Sequence, residues 1–187
     1  MEGDGFFERL RAQLQKAPPK SVDAGGMLLK EAAVLAPLFW RGGEPWVTLT
    51  MRPLTMRKHA GQISFPGGAR DPEDLTPLHT ALREANEELG IPPDAVEVLG
   101  MLAGMPTITS YYVHPFVGVV PAGLELRPNA DEVGEVIEAP LLRLRAEKRL
   151  LYEAQRDVFV WDDAKHVVWG ATWRMVRELA DHTRAVR

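Results

Sequence analysis

The chain has 187 residues, with 22 Lys and Arg against 26 Asp and Glu, a formal charge of −4, and no cysteine. Its composition is 45% hydrophobic and 26% charged, which suits one folded domain of ordinary size and excludes global disorder. The charge balance offers no broad basic surface for long nucleic acid. The missing cysteines exclude a disulfide framework, a thiolate zinc site and a cysteine nucleophile.

In chain order, Phe6, Phe7, Leu10 and Leu14 fall at helical spacing and Pro18-Pro19 stops the pattern, so a helix is expected over about 5–17. It packs on, or extends from, a single domain covering 1–187. Residues 18–26 carry Pro, Gly and Ser and read as a connector. The unbroken apolar run Ala32–Trp40 predicts a buried strand, and Trp46–Met51, after the turn signal Arg41-Gly-Gly-Glu-Pro45, makes a hairpin with it. That run is far short of the roughly 18 residues of a membrane span. The acidic opening Met1-Glu-Gly-Asp-Gly lacks the marks of an export signal. The expectation is a cytoplasmic protein with no membrane partner.

Gly61–Gly68 reads as a turn-rich loop with a short strand-like core. A helix follows over Thr76–Leu89, with Thr76 as N-cap, Pro77 at the first position and Gly90 at the stop, before Pro92-Pro93. Strands are expected over Val96–Leu102, Val113–Val120, Glu132–Ile137 and Ala164–Trp169, and a closing helix over Ala171–Ala185.

At 100° per residue, the Thr76–Leu89 helix separates an apolar arc (Leu78, Ala81, Leu82, Ala85, Leu89) from an acidic one. Glu84, Glu87 and Glu88 share that second arc, with Arg83 beside them. Like charges one turn apart cost about 0.2–0.5 kcal/mol per pair, and the helix dipole disfavours negative charge near a C-terminus. A hard divalent cation removes the conflict, because Mg²⁺ is held by carboxylates together with substrate phosphates. Gly67 and Gly68 just upstream permit close backbone approach to a ligand.

Gly68 followed by Arg83-Glu84-Ala85-Asn86-Glu87-Glu88-Leu89-Gly90-Ile91 resembles the Nudix box, G-x5-E-x7-R-E-U-x-E-E-x-G-U with U apolar. The second half agrees at every specified position. In the first half Asp74 stands where the box has Glu, one residue further from the arginine, and no role is read for it. Upstream, Thr48-Leu49-Thr50-Met51-Arg52, then Arg57, Gly61 and Phe65-Pro66-Gly67-Gly68, is similar to the signature of the coenzyme A pyrophosphatase branch of that family. Thr48 and Pro53 are its departures.

The resemblance implies an α/β fold, an α/β/α sandwich with a mixed central sheet. It also implies Mg²⁺- or Mn²⁺-dependent hydrolysis of the pyrophosphate of coenzyme A and its derivatives. In this reading Glu84 and Glu88 are the principal metal ligands, Glu87 contributes directly or through water, and a backbone carbonyl near Gly68 completes the set. Arg83 orients a neighbouring carboxylate or simply pairs with Glu87. The general base is sought among Asp131, Glu132 and Glu135, with Glu132 preferred as the start of a strand. Arg52, Arg57 and His59, with the Gly67-Gly68 turn, are the substrate-binding expectation; Lys58 reads as solvated surface, and Trp40, Trp46, Tyr111 and Tyr112 receive no binding role. The partner is a small molecule, and the oligomeric state is open, a homodimer included. Two alternatives stand beside this: a Nudix hydrolase of ADP-ribose, a dinucleoside polyphosphate or a nucleoside triphosphate, and a non-catalytic nucleotide-binding module.

Overall fold

The computed structural model describes residues 2–16, 28–55, 60–143, 145–151, 154–160 and 166–187. Helix α1 (Glu2–Lys16) leads into strand β1 (Lys30–Arg41), and the turn at Gly42-Gly43 reverses the chain into β2 (Glu44–Met51). The short strands β3 (Ile63–Ser64) and β4 (Gly67–Ala69) precede helix α2 (Pro77–Leu89). Then come β5 (Glu97–Met101), β6 (Met105–Pro106), β7 (Tyr111–Val119) and β8 (Glu135–Pro140). An antiparallel hairpin of β9 (Arg145–Leu151) and β10 (Ala154–Val160), then β11 (Val167–Trp169), leads to the last helix, α3 (Gly170–Ala185).

β1 runs parallel to β7 and antiparallel to β2, so the main sheet is mixed, in the order β3-β2-β1-β7-β5. The free edge of β1 is divided. Its first half pairs with β4, Ala33 opposite Gly68, and its second half with β2, Leu38 opposite Val47. β8 borders β2 on the other side, and β9, β10 and β11 form a second, antiparallel sheet.

The unbroken apolar run of β1 reflects burial on both faces. Ala33, Leu35 and Phe39 pack with Ala81, Ala85 and Leu89 of α2, while Ala32, Val34, Ala36 and Leu38 join Phe6, Leu10, Val176 and Leu179 from α1 and α3. This is the α/β sandwich that the motifs imply, helices flanking a mixed sheet. Among the described residues no helix is long and apolar enough to cross a membrane.

Boundaries moved where local chemistry overrode periodicity. The strand expected from Glu132 begins at Glu135, because Glu132 and Val133 donate their amides to Asn129 O in a turn (3.0 and 2.8 Å). Of the Ala164–Trp169 strand only Val167–Trp169 is seen, residues 164 and 165 lying outside the described residues, as does the connector expected at 18–26.

Candidate active site

The site begins with how α2 is held. Thr76 Oγ1 accepts from the His79 amide at 3.1 Å, Pro77 follows at the first helical position, and Gly90 leaves the helix at φ 68°. The Gly90 amide donates to Asn86 O (2.8 Å), and amides of the next loop fill two further carbonyls: Arg127 N to Leu89 O (2.8 Å) and Asn129 N to Glu88 O (2.9 Å). The Asn86, Glu88 and Leu89 carbonyls at the helix end are therefore met by backbone amides, and the segment after β7 is pinned against it.

That pinning brings Glu132 to the acidic helix. One carboxylate oxygen from each of Glu84, Glu88 and Glu132 lies within 4.8 Å of the others. Glu88 is only 6% exposed. Burial pushes its carboxyl up to about 7, and Glu84 and Glu132 push the same way, while the Gly67 amide and the charge of Arg52 favour the ionised form. Glu84 is also raised, chiefly by burial. Thr50 of β2 comes to the same place, its Oγ1 3.4 Å from Glu88 Oε2.

The two glycines serve separate purposes. A Cβ on Gly68 would stand 2.5 Å from Glu84 Oε1, so the missing side chain makes room for that carboxylate. Gly67, at φ 155°, lies against β1, where a Cβ would meet Val34 Cα at 2.6 Å. This close approach turns its amide to Glu88.

Arg83 lies beside the Glu84 carboxylate and joins it to the groups that support the trio. Its Nε and Nη2 reach Asp74 Oδ1 and Oδ2 at 3.1 and 3.0 Å, a bidentate pair. The same guanidinium donates to Ala69 O (3.2 Å) and lies 3.0 Å from Glu84 Oε1 and 2.8 Å from Glu87 Oε2. The guanidinium thus touches Glu84 and pairs with Glu87 at the same time.

Asp74, whose side chain is 1% exposed, is held well below the usual carboxylate range, first by the Arg83 hydrogen bonds and then by the Asp71 backbone. Arg70 adds Nε and Nη2 contacts to Asp74 O (3.2 and 3.1 Å) and an ion pair with Glu31. Sequence reasoning gave Asp74 no part. The signal was its position at the box's own acid.

The remaining expectations fall out as follows. Glu87 is 51% exposed, paired with Arg83 and outside the trio. Glu135 pairs with His166 at 3.0 Å, and Asp131 is exposed, its amide donating to Asn129 Oδ1. Arg52 is close enough to Glu88 for its charge to act there. Arg57, Lys58 and His59 lie outside the described residues. Trp40 packs on Phe6 and Phe7, and Trp46 on Phe39. Asn129 received no role of its own from the sequence, though an Asn three residues before a Glu has the spacing of a capping box.

Three carboxylate oxygens converging on one point, the buried Glu88 among them, suit a hard divalent cation such as Mg²⁺ or Mn²⁺. A cation held by Glu88 would displace the proton of its raised carboxyl. Mn²⁺ affinity is therefore expected to be about tenfold weaker at about pH 6 than at about pH 8, levelling above the Glu88 pKa. Calorimetry in two buffers of different ionisation enthalpy checks this. Proton release near pH 6 that disappears in Glu88→Gln is the expected result, and a flat affinity across that range counts against it.

The family model described as NUDIX domain matches residues 29–162. The chain is 40% identical over 180 residues to the uncharacterized Nudix hydrolase NudL of Shigella flexneri serotype 5b, covering 93% of this chain and 89% of that one. It is 43% identical over 157 residues to NudL of Escherichia coli K12, covering 81% of each. In structure it is similar to the Nudix hydrolase RenU of M. smegmatis, with a TM-score of 0.55 and 21% identity over 84% of this chain and 88% of that one. The NUDIX domain of Shewanella oneidensis NrtR, solved with ADP ribose, aligns at TM-score 0.53 and 16% identity over 93% and 96% of the two chains. The acidic helix, the glycine strand beneath it and the mixed sheet that carries both thus belong to a chain of the Nudix hydrolase family.

Proposed function

We propose that this Nudix hydrolase cleaves the pyrophosphate linkage of coenzyme A and its derivatives, giving 3′-phospho-AMP and 4′-phosphopantetheine or its acylated form. The observation that carries the reading is the meeting of two motifs at one carboxylate. Thr50 and Arg52, from the stretch that resembles the coenzyme A pyrophosphatase signature, both act on Glu88 of the Nudix box. The small-molecule substrate, without nucleic acid or membrane partner, agrees with the acidic balance of the chain.

Glu84, Glu88 and Glu132 would hold Mg²⁺ or Mn²⁺, with a Gly68 backbone carbonyl and, through water, Glu87. The cation, when bound, supplies neutralisation of the diphosphate charge and a lowered pKa for water. The chain's own groups do the rest. Arg83 fixes the rotamers of Glu84 and Glu87. Arg52, with Arg57 and His59, grips phosphate oxygens. The Glu132 carboxylate takes the proton of the attacking water, and Gly68, lacking a side chain, leaves room for the Glu84 carboxylate beside it.

A panel of coenzyme A, 3′-dephospho-coenzyme A, ADP-ribose, diadenosine polyphosphates and nucleoside triphosphates, each with Mg²⁺ and Mn²⁺, tests the proposal. Product masses identify the bond cut. Coenzyme A is expected to be the best substrate, and loss of the 3′-phosphate to cost about ten- to a hundredfold in kcat/KM, the worth of one charged hydrogen bond. Equal rates on the dephospho form remove the 3′-phosphate contact. Turnover of ADP-ribose alone replaces the substrate, and activity on nothing moves the chain to the binding-module reading.

A further inference from the structure

Asn129 bonds through its backbone amide and carbonyl and through both ends of its side-chain amide, and together these bonds tie the end of the acidic helix to the turn that carries Glu132. Its amide donates to Glu88 O at 2.9 Å, seating the residue on the helix terminus next to a trio carboxylate. Its carbonyl accepts from the Glu132 and Val133 amides at 3.0 and 2.8 Å, closing the turn. Its Oδ1 accepts from the Asp131 amide (3.1 Å), and its Nδ2 lies 3.4 Å from Glu132 Oε1. The turn is stopped on its far side by the Gly134 amide, which donates to Met51 O at 2.8 Å on the strand that carries Thr50. A Cβ at Gly134 would strike Pro53 Cα at 2.9 Å, so the segment has little freedom to slide.

Glu132 comes from a loop, whereas Glu84 and Glu88 come from one rigid helix. A carboxylate on a loop has more ways to point, and holding it in one direction requires a contact at the carboxylate itself. From this geometry we infer that Asn129 is a positioning residue: it aims the Glu132 carboxylate at Glu84 and Glu88 and so sets how tightly the trio takes a divalent cation. The inference rests on the metal-site reading above and goes beyond it. The strength of the site depends on a residue that is not one of its ligands, tied to the same helix turn as Glu88.

The test uses Asn129→Ser and Asn129→Ala in the full chain, alone and combined with Glu132→Gln. Mn²⁺ binding is followed by loss of the free-ion signal in electron paramagnetic resonance. Serine keeps an acceptor for the Asp131 amide, an ordinary turn-former's role, and removes the amide donor to Glu132. Asn129→Ser is expected to weaken Mn²⁺ binding about tenfold, the usual scale for a residue supporting a metal ligand, with an unchanged melting temperature. Slow hydrogen exchange at the Gly134 amide reports an intact turn. In the Glu132→Gln background the same substitution is expected to change nothing further.

Wild-type affinity in Asn129→Ser, or an equal loss with and without Glu132, reduces Asn129 to a turn-former and overturns the inference while leaving the metal site standing. Wild-type protein that binds no Mn²⁺ overturns the metal-site reading, and the inference with it. Should Asn129→Ala unfold the turn, seen as fast exchange at Gly134, the serine variant still decides.

Discussion

Glu88→Gln is expected to lower turnover of the diphosphate substrate by about 10³-fold or more at saturating metal, the several kcal/mol that a cation contributes at such a centre. In metal-free buffer the same variant is expected to be more stable than the wild type. Glu88 is nearly sealed from solvent and its carboxyl is raised to about 7 by burial, with Glu84 and Glu132 adding to the cost of ionising it. A carboxyl whose folded pKa lies above its unfolded value binds its proton more tightly in the native state. The apo protein therefore loses stability as pH climbs from the unfolded value to about 7, and the loss levels off above that. Glutamine keeps the shape and the Thr50 and Gly67 neighbours without that charge, so at about pH 8 it relieves on the order of 1–3 kcal/mol.

Parallel measurements decide the matter: steady-state rates with Mn²⁺, and urea unfolding in chelator. A slow, stabilised variant is the expected pair of results. Turnover within tenfold of wild type removes Glu88 from the metal-binding role. Unaltered stability at high pH means the carboxylate is compensated by a group other than a bound cation.

The acidic helix was legible because its determinants are local. Thr76, Pro77 and Gly90 mark its ends, and the spacing of Ala81, Ala85 and Leu89 marks its buried side. The hairpin of β1 and β2 was legible for the same reason. What the sequence hid was long-range. Periodicity grouped Glu87 with Glu84 and Glu88, yet a rotation of one residue is enough to send it to solvent and Arg83. Glu132 was proposed as a strand end, and its real place depends on where Asn129 docks on the helix terminus 41 positions after Glu88 O.

Helical periodicity cannot report a contact between a loop and a helix end. The β9–β10 pair escaped for another reason. Arg145-Ala-Glu-Lys-Arg149 carries neither an alternating pattern nor an apolar run, so only the ladder itself, Glu147 opposite Val158, identifies it.

Arg83→Ala is expected to cost about 3–5 kcal/mol of stability near pH 7, because it leaves the Asp74 carboxylate buried without its partner. In the wild type the Arg83 hydrogen bonds hold Asp74 below its ordinary value. That contribution is complete above the unfolded pKa of 3.8 and is lost only as pH falls below it. In the variant the sign reverses. Left with the Asp71 amide at 3.0 Å and His79 Nδ1 at 3.5 Å, the buried carboxyl loses the guanidinium that held it down and rises, takes up a proton in mildly acid solution and ceases to be a charge. The stability gap between wild type and Arg83→Ala should accordingly narrow between about pH 7 and pH 5 in urea titrations, and a gap that is constant or wider on acidification excludes Asp74 as its source.

Replacing both residues, Asp74→Leu with Arg83→Met, separates stability from positioning. An apolar pair of similar volume removes the uncompensated charge and is expected to recover most of the lost stability. It cannot supply the guanidinium nitrogen 3.0 Å from Glu84 Oε1. Turnover should thus stay about 10- to 100-fold down in the stable double variant, with kcat rather than KM carrying the loss. Arg83→Lys adds a discriminating case, since an ammonium can reach one carboxylate but lacks the fork that holds Asp74 bidentately while touching Glu84 and Glu87. Full turnover in the double variant would mean that Arg83 serves the fold alone and that Glu84 is held in place by burial and the open face of Gly68.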